Sequence, residues 1–219
     1  MYLFFKRLFD IIAALAGILG TLPIWIIAII GIEVSDPGPV FYKAERIGKH
    51  NKLFHMWKFR SMRVARNNEE KSEASFKADT NRIFKWGDIM RRLKIDELPQ
   101  LINILGGSMS VVGPRPAAKD QVSIMRAGKY NIASNVKPGL TGPAALYDYI
   151  YGDSVEDVSD YERLVLPTRL ELEACYPSKM NFLYDIKMIV WTVECIFDSL
   201  LGRKSNKILK KLVSSVEKH

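Results

Sequence analysis

The stretch IIAALAGILGTLPIWIIAIIGI, Ile11 to Ile32, carries no charge from end to end. About 20 apolar residues span the hydrocarbon core of a bilayer, so this stretch is long enough to cross one. Yet Pro23 stands near its centre. In a helix interior a proline removes one backbone donor and crowds the carbonyl four residues back, at roughly 3 kcal/mol. A cleavable signal peptide is the weaker reading. Its apolar core is usually about 7–15 residues long with a small-residue cleavage site behind it, whereas EVSDPGPVFYK follows here.

The flanks bear on the course of the helix. Lys6 and Arg7 precede the apolar stretch; Lys43, Arg46, Lys49 and Lys52 follow it, and then Lys58, Arg60 and Arg63. Positive flanks mark the cytoplasmic side. A single crossing would carry one basic flank to the wrong side. A helix that enters, breaks at Pro23 and returns to the same face satisfies both. Each half, of about 11 residues, would reach about 16 Å deep. Thr21 is placed to bond a carbonyl freed at the break. A straight crossing helix with a tolerated proline kink is the competing reading.

The chain has 219 residues and a net charge of +8. Nucleic acid, an anionic lipid surface or phosphorylated small molecules could each answer that charge. Cys175 and Cys195 form no CxxC pair, which argues against a disulfide framework or a zinc module and for a reducing, cytoplasmic setting. His50, His55 and His219 lack metal-ligand spacing. The sequence shows no internal repeat and no low-complexity segment.

Beyond SDPGPV, a turn cluster at 35–40, short apolar and basic groups alternate. They predict one or two strands, with a hairpin around GKHNK. Residues 64–82 are polar and read as a solvated helix or loop. RIFKWGDIMRRLKI has helical apolar spacing. DELPQLINILGG predicts a second helix, with Leu98, Leu101, Ile102 and Leu105 on one face and a stop at Gly106-Gly107. MSVVGPRP is extended, VKPGLTGP a turn, and DYERLVLPTRLELEACY a helix with a break at Pro167. FLYDIKMIVWTVECIFDSLL places Ile186, Ile189, Val190, Val193, Ile196, Phe197 and Leu200 on one stripe. The basic amphipathic tail suits either an anionic membrane surface or a fraying terminus. The expected fold is mostly α with little β: one compact cytoplasmic domain with an N-terminal re-entrant, Pro-broken membrane helix and interfacial amphipathic helices. The expected division is 1–34 for the membrane helix–break–helix, 35–201 for the catalytic domain and 202–219 for the tail.

RRLKIDELPQ, Arg91 to Gln100, holds the chemistry. Pro99 belongs in a first helical turn, so Asp96 falls near a helix N-terminus, where a carboxylate or a phosphate is favoured. On the motif alone, capping and dipole pairing account for the Asp96-Glu97 pair. Side-by-side carboxylates can also hold Mg²⁺ together with substrate phosphates, and an ionised Asp can attack phosphorus. The neighbours favour chemistry. Lys58 and Arg60 share one face of a strand. Arg115, between two prolines, suits bidentate phosphate binding. Lys137 sits beside a glycine turn whose N–H groups could face an anion. Cations around an acid pair, next to a membrane element, suggest phosphoryl transfer at the lipid interface.

KRLFDIIAAL, the Pro-interrupted stretch, SDPGPVFY, WKFRSM, LKIDELPQLINILGGSMSVVGPRP, KPGLTG and YDIKMI occur in order. Together they resemble the bacterial sugar transferase family, the monotopic polyprenyl-phosphate sugar-1-phosphate transferases, from about Lys6 to Leu201. The resemblance implies transfer of sugar-1-phosphate from a UDP-sugar to undecaprenyl phosphate, with release of UMP. The setting it implies is the cytoplasmic face of the bacterial inner membrane, with Mg²⁺ and a covalent intermediate. It implies Asp96 as nucleophile and metal ligand and Glu97 as its acidic partner. Lys58, Arg60, Arg91 and Arg115 become phosphate-binding residues, with Lys137 beside them, and Pro23 the membrane break. It implies a lipid bilayer and no nucleic acid as partner, and leaves a homo-oligomer open.

The sequence departs from the family at Leu22, where Ser is common before the breaking Pro, and at Ser108, where Asp is usual. It departs again at PAALYDYIYGD, where many members continue WAQVNGR. The donor sugar and the roles of residues 143–153 are therefore open. Larger relatives carry extra membrane helices ahead of this module. Two other classes remain to be separated by assay: a non-enzymatic adaptor binding anionic lipid or nucleic acid, and a phosphatase or nucleotide-sugar hydrolase using water as acceptor.

Overall fold

Helix α1, Tyr2–Ser35, is the longest element. The computed structural model describes residues 2–63 and 80–216. The polar stretch expected at 64–82 therefore lies outside the described residues up to 79, and Thr80–Arg82 form a 3₁₀ turn. Asp10, Ala14, Ala28 and Ile32 are buried on one face of α1, while Leu19, Leu22, Ile26 and Ile30 stand exposed on the other. Small residues on the inner face allow close approach: a Cβ on Gly31 would fall 2.3 Å from the Trp86 ring.

The segment expected as helix–break–helix is helical on both sides of Pro23. It runs through Pro23 as one element, because proline's fixed φ is itself helical and only one backbone donor is lost. Thr21 does not serve the freed carbonyl, which belongs to Leu19. Its hydroxyl donates instead to the Gly17 carbonyl at 2.6 Å and accepts from Trp25 Nε1 at 3.0 Å.

Both ends of α1 are fastened to the folded body. Lys6 lies 2.5 Å from Asp185, which also accepts from the Tyr2 hydroxyl at 2.7 Å. The Arg7 guanidinium donates to the carbonyls of Ile104 and Leu105. Asp10 accepts from Ser110 Oγ and the Val111 N–H, each at 2.9 Å. Past the other end, Asp36 accepts from Arg60 at 2.8 Å.

Strands β1 (Phe41–Ile47) and β2 (Leu53–Phe59) form the expected antiparallel hairpin, with Ile47 opposite Leu53 and Phe41 opposite Phe59. Its turn uses His50 and Asn51 in the left-handed region, both at φ 56°, which those residue types tolerate better than most. Helix α2, Lys85–Arg92, leads into α3, Gln100–Gly106, which Gly107 ends in the left-handed conformation. The buried face of α3 is Gln100, Leu101, Asn103 and Ile104, while Ile102 is exposed.

Strand β3, Ser110–Val112, pairs in parallel with β5, Gly139–Thr141, and β4, Ala117–Ala118, adds to the edge of β1. The glycine of KPG is thus part of a strand, where only Gly fits. A Cβ on Gly139 would fall 2.1 Å from the Gly113 nitrogen.

Short helix α4, Val122–Met125, and α5, Pro143–Ile150, precede α6, Val158–Asp160. The break expected at Pro167 is a π-helical turn, Tyr161–Val165, ahead of α7, Leu166–Lys179. Helices α8, Phe182–Leu200, and α9, Asn206–Ser214, complete the chain. The main core gathers Leu146, Tyr161, Leu172, Tyr176, Met188 and Leu212. The tail helix packs part of its apolar side there, through Ile208 and Leu212. Helix α8 leaves part of its apolar side uncovered. Met188, Trp191 and Cys195 face the core, while Val190, Val193, Phe197 and Leu200 from the predicted stripe stand exposed. Cys175 and Cys195 are both free thiols.

Candidate active site

Asp96 and Glu97 occupy a 3₁₀ turn, Ile95–Glu97, that continues through Pro99 into α3. The acid pair is therefore at the start of a helical run, as the position of Pro99 predicts. Lys94, just before it, is left-handed at φ 56° and ψ 20°. That costs roughly 1–2 kcal/mol for a residue with a side chain, and it reverses the chain between α2 and the acids. The Lys94 amine lies 3.6 Å from Asp153 and 4.7 Å from the centroid of the Tyr149 ring.

Lys58, near the end of β2, completes the centre. Its amine is 3.2 Å from Glu97 Oε1 and 3.9 Å from Asp96 Oδ2. A side chain from α3 fixes where β2 lies. Asn103 accepts from the Trp57 N–H and donates to the His55 carbonyl, both at 2.8 Å. It thereby satisfies the outer edge of an edge strand, as a neighbouring strand would. Apolar periodicity gave no signal for this residue, since it is polar and buried.

The two acids differ in environment. Burial pushes the Asp96 carboxyl up and the Glu97 charge adds to that, while Lys58 and Arg91 offset it in part. At Glu97 burial acts in the same direction, but Lys58, Lys94 and Arg115 outweigh it and hold the carboxyl well below the usual range. The cations thus favour charge on Glu97, while burial disfavours it on Asp96. Neither sits in a cluster of three or more metal-ligating side chains among the described residues. Two carboxylates with open space beside them fit Mg²⁺, which typically takes one or two carboxylates and fills its shell with substrate phosphates and water.

The acids open on a cleft of about 1160 Å³, lined also by Arg46, Lys58, Arg91, Lys94, Arg115 and Asp148. Lys58, Arg91 and Arg115 are where the sequence motifs place them, around the acid pair. Arg60 and Lys137 are not. Arg60 reaches the cleft wall, but its guanidinium is buried and spent on the carboxylate and main-chain carbonyl of Asp36. It ties the chain leaving α1 to β2. Lys137 is at the far end of α3, its amine beside Gly107 and the Arg7 guanidinium. Arg7 already bonds the last carbonyls of the helix, and burial together with that guanidinium pushes the Lys137 pKa down. The neighbouring turn offers no anion cradle, because the Gly139 N–H is donated to the Pro114 carbonyl at 2.8 Å. Ser108 likewise points away from metal chemistry and bonds Asn103.

A model of the family described as Bacterial sugar transferase matches residues 1–199. The chain is 36% identical over 202 residues to a UDP-glucose:undecaprenyl-phosphate glucose-1-phosphate transferase of Xanthomonas campestris pv. campestris, covering 91% of this chain and 39% of that protein. It is 32% identical to a UDP-N-acetylgalactosamine-undecaprenyl-phosphate N-acetylgalactosaminephosphotransferase of Aeromonas hydrophila, covering 93% of this chain and 46% of the relative. It is 34% identical to a sugar transferase of Bacillus subtilis named EpsL, covering 93% and 92% of the two chains. The chain thus spans less than half the length of the relatives whose names give a substrate.

Proposed function

Since the chain belongs to the bacterial sugar transferase family, we propose that it moves a sugar-1-phosphate from a UDP-sugar to a polyprenyl phosphate such as undecaprenyl phosphate. The products are UMP and a polyprenyl-diphosphate-sugar. The observation that carries this reading is the acid pair Asp96-Glu97 in a cleft ringed by Lys58, Arg91, Lys94 and Arg115. A nucleotide diphosphate brings the negative charge that such a ring lacks.

In this reading Asp96 is the nucleophile. Its carboxylate oxygen bonds to the phosphorus bearing the sugar, and the bond from that phosphorus to the UMP oxygen breaks. The resulting acyl-phosphate is then attacked by a phosphate oxygen of the polyprenyl acceptor, which frees Asp96. Glu97 and Asp96 would hold Mg²⁺, which supplies charge neutralisation to the diphosphate. Lys58 keeps Glu97 ionised and helps ionise Asp96. Arg115 and Arg91 orient phosphate oxygens and offset the charge that collects on the leaving UMP.

The acceptor's phosphate lies at head-group depth, so the cleft belongs at one face of a bilayer. Two features support a monotopic, re-entrant course for α1 at the cytoplasmic face of the inner membrane. Its outer side and the outer side of α8 are apolar and exposed. Its two ends, at Lys6 and Asp36, are both fastened to the folded body, and basic residues flank both, which favours one side for both.

The test is UMP release across a panel of UDP-sugars with Mg²⁺. Release that requires polyprenyl phosphate supports the transferase. Continuous release with water as acceptor points to a hydrolase, and salt-sensitive nucleic-acid binding without any turnover to an adaptor.

A further inference from the structure

Behind the cleft, five ionised side chains from four segments close into a ring around Arg115. The Arg115 guanidinium lies 3.9 Å from Asp148 Oδ2. Asp148 Oδ2 is 3.7 Å from Arg169, and its other oxygen accepts from the Tyr161 hydroxyl at 2.5 Å. Arg169 donates to the Tyr161 oxygen at 2.6 Å and lies 3.5 Å from Glu173. Glu173 accepts from Arg126 at 2.9 Å, and Arg126 donates back to the main-chain carbonyl of Arg115 at 3.4 Å. The ring thus grips Arg115 at both its side chain and its backbone.

The charges do not cancel. Within the ring three guanidiniums face two carboxylates, an excess of one positive charge that Arg115 directs in part at Glu97 in the cleft. Exposure shows where it is available: the Arg115 side chain is 36% exposed, those of Arg126 and Arg169 only 4% and 6%. Local backbone features serve the same carboxylate. Tyr161 starts the π-helical turn, a rare feature that often marks functional positions. A Cβ on Gly152 would fall 2.3 Å from Asp148 Oδ1, so a side chain there would displace it. Asp148, Tyr149 and Gly152 all belong to the segment where this sequence departs from its family's usual pattern.

We propose that Asp148, held by Tyr161 and Arg169, is a positioning residue. It aims the Arg115 guanidinium into the cleft to take a phosphate of a nucleoside diphosphate donor. The inference rests on the donor reading above. A guanidinium left to rotate would lose part of its binding energy to ordering; one already aimed by a buried carboxylate does not.

The experiment is a double-mutant cycle on UDP binding, measured by titration of the full chain in detergent with Mg²⁺, with UMP release followed in parallel. Arg115→Ala should weaken UDP binding about tenfold, and Asp148→Asn by a similar factor. In the Arg115→Ala background, Asp148→Asn should then change binding by less than about twofold, because nothing remains for it to aim. A residue that merely supports the fold would lower the amount of active protein and would not be silenced by Arg115→Ala. Should Asp148→Asn fail to fold, Tyr161→Phe removes one of its bonds and should give a smaller loss, again silent without Arg115. Effects that multiply in the double variant, or unchanged UDP binding in Asp148→Asn and Tyr161→Phe, overturn the inference while UMP release still stands. Wild-type protein that neither binds UDP nor releases UMP overturns the donor reading and this inference with it.

Discussion

The Lys58 amine lies 3.2 Å from Glu97 and 3.9 Å from Asp96, so one cation governs both acids of the centre. It lowers the pKa of each. Lys58→Met should therefore push the Asp96 carboxyl further above its ordinary value. Since transfer needs the ionised form, the acid limb of the kcat/KM profile should move to higher pH. Turnover at neutral pH should fall at least about tenfold. The deficit should narrow as pH rises. A loss that is the same at every pH would mean that Lys58 acts on phosphate alone.

Asp96→Asn separates stability from function. A carboxyl whose folded pKa is raised is penalised for ionising. That penalty appears as pH rises through the folded value and is absent in acid. Removing it should leave the unfolding free energy of Asp96→Asn at or above that of the wild type at neutral and alkaline pH, by up to about 1 kcal/mol. The advantage should vanish in acid. Turnover should drop by about 10³ or more. A variant that is both inactive and clearly less stable would recast Asp96 as a structural cap.

Lys137→Gln tests a residue that the motif favoured and the fold moved away. Its amine sits at the carbonyl end of α3, beside Gly107, so donor KM and kcat should stay within about twofold of the wild type. Stability should hold or rise slightly, because burial and the Arg7 guanidinium both disfavour the ammonium there. A donor KM raised as far as Arg115→Ala raises it would return Lys137 to the phosphate site.

These cases show what the sequence reveals and why it stops there. The hairpin at GKHNK, the stop at Gly107 and the acid pair before Pro99 are local, and each carries its own turn or cap signal. The partners of Arg60 and Lys137 are set by tertiary packing: Asp36 reaches Arg60 only once α1 docks on β2. The ring that holds Arg115 joins Arg126 to Glu173 and Asp148 to Tyr161, pairs with no fixed spacing to read. The α8 stripe was legible as a stripe. Apolar spacing alone does not say whether protein or lipid covers it, and the core took Met188, Trp191 and Cys195 instead.

The course of α1 can be read by thiol labelling. Leu3 and Lys207 are both exposed, and each can be replaced by Cys in turn. In intact cells a membrane-impermeant maleimide should label neither variant, and opening the membrane should expose both. Labelling of Leu3→Cys from outside intact cells would mean that α1 crosses, and Pro23 would then be a tolerated kink.

The central claim is that Asp96 takes the sugar-phosphate onto itself. Mass spectrometry of the Asp96 peptide, after the full chain is mixed with its UDP-sugar and Mg²⁺ without polyprenyl phosphate, tests this most directly. The account predicts a sugar-phosphate adduct on Asp96 with about one UMP released per chain, and loss of the adduct when polyprenyl phosphate is added. An unmodified Asp96 peptide, with UMP appearing only when the acceptor is present, would contradict it and point to direct transfer between the two substrates.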